Sequence, residues 1–353
     1  MKKLKATSSR TPQARNPKGQ VWSFENTTGR HPERLWPKSP GRPAGYILSQ
    51  TAEFFLKILI IILFLSFPLT AQNLEVQDDL GHKLTLKDCP QRIISLAPNL
   101  TEILFSLDLS QEIIGLTRFC DYPEEAGPKE VVGGLVDLSL EKIHSLKPDL
   151  ILGFRGNPKK FIERLYRDQL PVYVFESGQT FEDLFSLISK VGQLTCRTKQ
   201  ASLLITELKH QIAEVDKKLP SGKKPEKVFL TLYGQGSGLW TCGRQSYLNY
   251  LLERAFLKNI ASGLNGNWLV YNPEKLIEDN PDLILILCKN QEDFEKAREQ
   301  FSNRSAFQEL KAVQKGRIYF LGEDQFSRFS PGLIEAYRQL VQTIYNNSPA
   351  EEK

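Results

Sequence analysis

The stretch SLEKIHSLKPDLILGFRG, Ser139–Gly156, returns in part 133 residues further along the chain. Glu141–Leu152 (EKIHSLKPDLIL) and Glu274–Leu285 (EKLIEDNPDLIL) align without a gap, and seven of the twelve positions are identical. Each copy reads as a short helix, a Pro-Asp stop and a buried apolar strand. The spacing is that of a duplicated, domain-sized unit rather than a solenoid of short repeats. Ser139 and Asn272 stand where an N-cap is needed, and Pro273 takes the first helical position of the second copy. Glu141 and Glu274 then fall in the first turn, where the helix dipole favours a carboxylate by about a few tenths of a kcal/mol. Capping accounts for each glutamate alone. It does not account for their matched placement in both copies.

Working outward, short β-branched runs alternate with amphipathic segments. RIISLAP (Arg92–Pro98) precedes the helical pattern NLTEILFSL; IIGLT (113–117), LILGF (150–154) and PVYVF (171–175) follow as strands. A second set comprises KVFLTLY (227–233), DLILIL (282–287) and RIYFLG (317–322), with a closing helix from about 331 to 345. This alternation predicts an α/β fold with a largely parallel sheet in each half. Between the halves, 181–219 carries apolar residues at helical spacing from Leu184 to Val215 and no proline. It reads as one long linking helix or two abutting ones, with Gly192 as a kink. The expected architecture is two Rossmann-like α/β lobes, 72–180 and 220–353, joined by that helix at 181–219, with a ligand cleft between the lobes.

The chain has 353 residues, 41% of them apolar, enough for two cored lobes. Its formal charge of +5 comes from the start: residues 1–71 hold 11 basic and 3 acidic side chains, and the remainder holds 35 and 38. The body is therefore mildly acidic and carries no electrostatic footprint for nucleic acid. Residues 1–55 read as a basic leader, disordered or lying upstream of the true start. Residues 56–71 read as a signal peptide. Their apolar run from Ile58 to Leu69 is short for a bilayer span, which needs about 20 residues; an uncleaved anchor is the alternative. The five cysteines lie far apart and form no C-x-x-C pair, so redox and zinc motifs are absent; mostly buried free thiols are expected, and the alternative for an exported chain is a single bridge whose partners spacing cannot choose.

Several chemistries fail on inspection. Gly234-Gln235-Gly236-Ser237-Gly238 follows a strand, but Leu239 stands where the dinucleotide fingerprint needs its third glycine, and no helix opens there. A loop at a strand end, close to a ligand, is the expectation. No P-loop and no nucleophile–base constellation is present. The histidines do not cluster with carboxylates, so no metal site is expected. Aromatic and polar residues after strands, in both halves, give the better signal: Pro98, Tyr122, Phe154, Arg155, Tyr233, Trp240, Trp268, Asp324 and Arg328. Strand C-terminal ends are where α/β folds place ligands, and broad apolar faces with a few polar anchors suit a bulky organic guest.

From Arg92 to Tyr345 the chain resembles the periplasmic substrate-binding proteins of ABC importers that have a helical backbone, and within them the cobalamin binders. The matching stretches are RIISLAPNLTEILFSL, Asp121-Tyr122-Pro123, SLEKIHSLKPDLILGFRGN, KVFLTLYG and FSRFSP at 326–331. The resemblance implies a non-enzymatic, monomeric protein of the periplasm, without a cofactor of its own. It would carry cobalamin, or a related metal chelate, to an ABC permease dimer in the inner membrane. It implies that Tyr122, Phe154, Trp240, Trp268, Asp324 and Arg328 line the cleft and that Glu141 and Glu274 dock on the permease. Phe154 stands where the cobalamin binders often carry Trp, and the glycine-rich loop departs from their proline-containing version. A ferric-siderophore or haem binder of the same fold is the alternative; a hydrolase and a sensor are the remaining ones.

Overall fold

The computed structural model describes Lys57 and residues 73–346, except 221, 223, 235 and 237. The expected leader and the signal segment, but for Lys57, lie outside the described residues. No helix among the described residues is long and apolar enough to cross a membrane.

A hairpin, β1 (Leu74–Gln77) and β2 (Lys83–Leu86), leads into the first lobe. There β3 (Ile93–Ser95), α1 (Pro98–Ser106), β4 (Ile113–Leu116), α2 (Leu140–Leu146), β5 (Leu150–Phe154), α3 (Lys159–Arg167) and β6 (Val172–Phe175) follow in turn. The four strands form a parallel sheet in the order β4-β3-β5-β6. The first four residues of β5 are all buried, as a strand covered by helices on both faces requires.

Two helices come next, α4 (Phe181–Leu194) and α5 (Thr198–Asp216). The break falls at Thr195–Arg197, where Cys196 adopts φ +58°, not at Gly192. The helices run antiparallel: Gly192 lies against Ala201, and Lys209 sits over the Phe185 ring, 3.9 Å from Glu182. So 181–219 is a helical hairpin, and α5 is the rod within it. At one end of α5, Arg197 pairs with Glu112 of the first lobe at 3.0 Å; at the other, Asp216 pairs with Arg254 of the second at 2.6 Å. Gly192 is small because two helix backbones cross there; a Cβ would lie 2.5 Å from that of Ala201.

The second lobe comprises β7 (Glu226–Leu232), β8 (Leu239–Cys242), α6 (Tyr247–Arg254), β9 (Leu257–Asn259), β10 (Trp268–Tyr271), α7 (Pro273–Asp279), β11 (Leu283–Cys288), α8 (Gln291–Asn303), α9 (Lys311–Gln314), β12 (Ile318–Gly322), α10 (Glu323–Phe326) and α11 (Leu333–Asn346). Its parallel strands take the order β9-β7-β11-β12, the same winding as β4-β3-β5-β6. An antiparallel arm, β8 and β10, is added at the C-terminal end of β7. The glycine-rich segment is the turn between β7 and β8; Gly234, Gly236 and Gly238 all have positive φ, and residue 239 opens a strand.

The sequence repeat is a repeat of structure. Helices α2 and α7 have the same length and the same offset, and both close on a left-handed residue, Lys147 (φ +46°) and Asn280 (φ +45°). Each repeated aspartate braces the start of the neighbouring central strand. Arg92 N donates to Asp149 Oδ1 at 2.8 Å, and Lys227 N to Asp282 Oδ2 at 2.9 Å. The same two basic side chains then cap their helices: Arg92 donates to Leu146 O at 2.6 Å and Lys227 to Asp279 O at 3.0 Å.

One apolar core contains Ile93, Leu100 and Leu152 of the first lobe, Leu184 and Leu208 of the hairpin, and Leu230, Leu285 and Tyr337 of the second. The cysteines combine the two expectations, free buried thiols for most and a single bridge. Cys120, Cys242 and Cys288 are buried free thiols, but Cys89 and Cys196 form a disulfide. It ties the segment before β3 to the turn of the hairpin.

Candidate functional site

A cleft of about 1020 Å³ opens between the lobes. On one side it is built from the residues that follow three parallel strands: Pro98 and Asn99 after β3, Phe154–Gly156 at the end of β5, and Phe175–Gln179 at the end of β6. On the other side stand Gln245–Tyr247 at the start of α6, Asn267 and Trp268 at the start of β10, and Ser327–Phe329 between α10 and α11.

The wall made by the first lobe is held by Asn157, which is 4% exposed. Its amide donates to Leu96 O at 3.1 Å and accepts from Phe154 N at 3.0 Å, fixing the ends of β3 and β5 together. A Cβ at Gly156 would overlap the Phe154 ring, so the ring lies flat along the backbone there. The loop before α4 is fixed by a capping box. Asp183 accepts from Gln179 N and Thr180 N, both at 2.9 Å, and Thr180 Oγ1 accepts from Asp183 N. Burial alone would raise the pKa of Asp183, but these donors outweigh it and hold the carboxyl below its ordinary value. Gly178 admits the Phe329 ring from the opposite lobe. Tyr247 packs on Phe329 with ring centroids 5.5 Å apart and donates its hydroxyl to Phe326 O at 2.8 Å.

Five of the nine expected ligand residues line this cleft: Pro98, Phe154, Arg155, Trp268 and Arg328. Both arginines are already occupied. Arg155 pairs with Glu176. Arg328, 15% exposed in its side chain, reaches across the lobes to Glu102 at 3.0 Å and to Asp121, while Ser330 donates to the other oxygen of Glu102. Burial would lower the pKa of Arg328; the two carboxylates more than offset this and keep it raised. Its observed role is to tie the lobes together at the cleft.

The other four do not line it. Tyr233 points away, because side chains alternate along β7: Phe229 and Tyr233 face the second lobe's outer core, and the Tyr233 hydroxyl meets Gln300 of α8 at 3.5 Å. Asp324 is exposed in α10 and lines a separate depression of about 700 Å³ with Lys289 and Gln339. Trp240 lies on β8, paired across from Val270; by register it shares a face of the β8–β10 arm with Trp268 and extends that wall outward. Tyr122 is 61% exposed and stands beside the cleft rather than in it, next to the Asp121 that Arg328 holds. Sequence reasoning missed four amide side chains in the lining, Asn99, Gln179, Gln245 and Asn267, together with Leu135 and Phe329. Asn99 was visible as the residue after the SLAP turn; the others sit in loops without pattern.

Glu141 and Glu274 are exposed on their matched helices, and neither carboxylate has a partner among the described residues.

Residues 93–325 match the model of the periplasmic binding protein family. The chain is 29% identical over 284 residues to an uncharacterised ABC transporter substrate-binding lipoprotein of Bacillus subtilis, covering 79% of this chain and 86% of that one. It is 28% identical to a vitamin B12-binding protein of Pectobacterium atrosepticum, over 72% and 88% of the two chains. In fold alone it resembles the periplasmic vitamin B12-binding protein of Vibrio cholerae (TM-score 0.64, 20% identity, 73% of this chain and 99% of that one). It also resembles a periplasmic heme-binding protein of Roseiflexus sp. RS-1 (TM-score 0.64, 21% identity, 72% and 98%). With two equally wound lobes, a cleft between them and this match over most of its length, the chain belongs to the periplasmic binding protein family and is a substrate-binding protein of an ABC transporter.

Proposed function

We propose that the protein captures cobalamin or a closely related corrinoid and delivers it to its permease. The observation that carries the choice of ligand is the charge and hydrogen-bonding character of the cleft. Both arginines of the lining are neutralised by carboxylates, so among the described residues of the lining no free cation awaits an anionic ferric chelate. Four amides, Asn99, Gln179, Gln245 and Asn267, face a space bounded by Phe154, Trp268 and Phe329. Amides both donate and accept, and a corrin ring offers an apolar face rimmed by amides. Among the described residues the lining carries no histidine, cysteine or methionine to ligate a haem iron, and the hydroxyl of Tyr247 is engaged with Phe326 O. Haem remains the second reading because a protein of the same fold binds it.

Capture needs no covalent step. The shared core and the α4–α5 hairpin hold the walls in place before the ligand arrives, which lowers the ordering cost of binding. Glu141 and Glu274, one on each lobe and both unpaired, would then meet basic residues of a permease dimer. Such exposed contacts contribute about 0–1 kcal/mol each and act chiefly on orientation and encounter.

Calorimetric titration with cyanocobalamin, hemin and a ferric siderophore tests the ligand. Heat with cyanocobalamin alone is expected; its absence rejects the corrinoid reading. Reversing Glu141 and Glu274 to Lys is expected to abolish uptake in cells at unchanged ligand affinity. Uptake that persists removes their docking role.

A further inference from the structure

The depression that Asp324 lines stands apart from the cleft, at the C-terminal ends of β11 and β12 and against α11. Its volume is about 700 Å³. The carboxyl ends of parallel strands are where α/β sheets hold ligands, and the cleft uses neither of these two ends. Lys289, Glu323, Gln339 and Gln342 line the depression, and none of the four side chains makes a hydrogen bond or an ion pair with another described residue. Elsewhere in the second lobe comparable charges are paired: Arg254 with Asp216, Lys275 with Asp279, Arg317 with Glu226. Glu323 is half-buried, and burial lifts its carboxyl above the ordinary carboxylate range; Lys289 opposes this, and Asp324 and Asp293 add to it. A carboxylate and an ammonium that feel one another without touching leave a gap for a polar guest. Asp324 is exposed and stays solvated at the margin.

The sheet edge supplies a second set of polar groups. β12 is the last strand of its sheet, and no described strand pairs with its outer side. Ile284 N donates to Arg317 O at 3.0 Å, so Arg317, Tyr319 and Leu321 turn their backbone groups toward β11. Phe320 and Gly322 turn theirs outward, and both residues line the depression. Phe320 O and Gly322 N–H thus form the acceptor–donor slot that one residue of a neighbouring parallel strand would fill.

We infer that this depression is a second binding site, which takes a free α-amino acid with an uncharged polar side chain. The carboxylate of the guest meets Lys289 and accepts from Gly322 N–H. Its ammonium meets Glu323 and donates to Phe320 O. Its side chain runs along α11, where Gln339 and Gln342 stand about one turn apart. Amides both donate and accept, so they match a side-chain amide better than a further charge. The site shares no lining residue with the cleft and does not depend on the corrinoid reading.

Calorimetric titration of the intact protein with L-glutamine, N-acetyl-L-glutamine and L-glutaminamide tests the inference; the second compound lacks the ammonium and the third the carboxylate. L-Glutamine is expected to bind, and each blocked compound to bind about tenfold more weakly, the scale of one lost hydrogen bond to a charged group. Lys289→Met should weaken L-glutamine about tenfold and erase its advantage over L-glutaminamide, while its advantage over the N-acetyl compound stays. Glu323→Gln should do the converse. No heat with L-glutamine on the intact protein overturns the inference, as does equal affinity for the three compounds or unchanged affinity in both variants. The three-ligand comparison needs no variant to fold. Cyanocobalamin titrated into the same protein reads the cleft separately, so failure of one site is told apart from failure of the other.

Discussion

Replacing Glu102 by alanine should destabilise the whole body of the protein, although Glu102 touches no ligand. Its side chain is 7% exposed and that of its partner Arg328 is 15% exposed, so both charges have largely left water. Glu102 accepts from Arg328 at 3.0 Å and from the Ser330 hydroxyl, and Arg328 has one further carboxylate, Asp121, which is 67% exposed. Solvent screens that second pair, which contributes at most about 1 kcal/mol. Removing Glu102 therefore leaves a half-compensated cation in the interior, a change that costs about 3–5 kcal/mol in comparable buried pairs. For a urea m-value of about 3 kcal/mol/M, the midpoint should fall by more than about 1 M. The decisive control is the double variant Glu102→Leu/Arg328→Leu. It removes both charges and should recover most of the loss, because apolar replacement of a whole buried pair is often close to neutral. Urea titrations followed by far-UV circular dichroism measure all three proteins. A midpoint shift below about 0.3 M for Glu102→Ala, or a double variant no more stable than the single, would refute the account of Arg328 as a cross-lobe tie.

Four further outcomes are expected. Thiol titration of the non-reduced protein should find three reactive groups after unfolding and five after reduction; in the native state all three should be silent, since burial raises the thiol pKa of Cys120, and pushes that of Cys288 up to about 11 and that of Cys242 up to about 12. Cys89→Ser/Cys196→Ser should lower stability by about 2–4 kcal/mol, against a chain-entropy limit near 4.7 for a loop of this size; a change below about 1 kcal/mol contradicts it. Asp183→Asn should cost about 1 kcal/mol at pH 7. The folded-state pKa of Asp183 lies below its unfolded value, so its contribution is present above the unfolded pKa and fades as pH falls through the folded one. The two proteins should thus converge in strong acid, and a constant gap from pH 7 to pH 2 argues against the carboxylate. Gly178→Val should push Phe329 out of its seat and weaken ligand binding more than it weakens the fold, as seen by comparing calorimetry with thermal melting; equal affinity counts against Gly178 as the close-approach point.

The strands and most helices were legible because their apolar periods are strong. LILGF at 150–154 is β5 without a residue's difference, and the offset of 133 relates two superposable helices. Short elements that owe their existence to neighbours left no such signal: β9 has three residues and β8 four, and they form only because β7 offers an edge. The helical hairpin was half legible. Its period shows helix on either side of Cys196, but nothing in the period says that the chain reverses there; the disulfide and the left-handed turn show that only in three dimensions. Residue type identified Phe154 and Trp268 as cleft lining, whereas Tyr233 needed strand parity, one residue deciding between core and opening, and Trp240 needed the pairing of β8 with β10. Arg328 was found for its position, but its role depends on Glu102, which lies 226 residues away in the chain. The repeat itself turned out to encode architecture at Asp149 and Asp282 as well as the exposed glutamates.

The interior that runs unbroken from Ile93 to Ile344 has an implication for ancestry. If the two halves descend from one copied gene, the ancestral half possessed an interior closed on itself, or met a second copy of its own kind to close it. Neither half now does so: severing the chain after residue 180 would leave two fragments with raw oily flanks. Each half thus depends on the other to cover its flank, and neither is expected to stay folded alone.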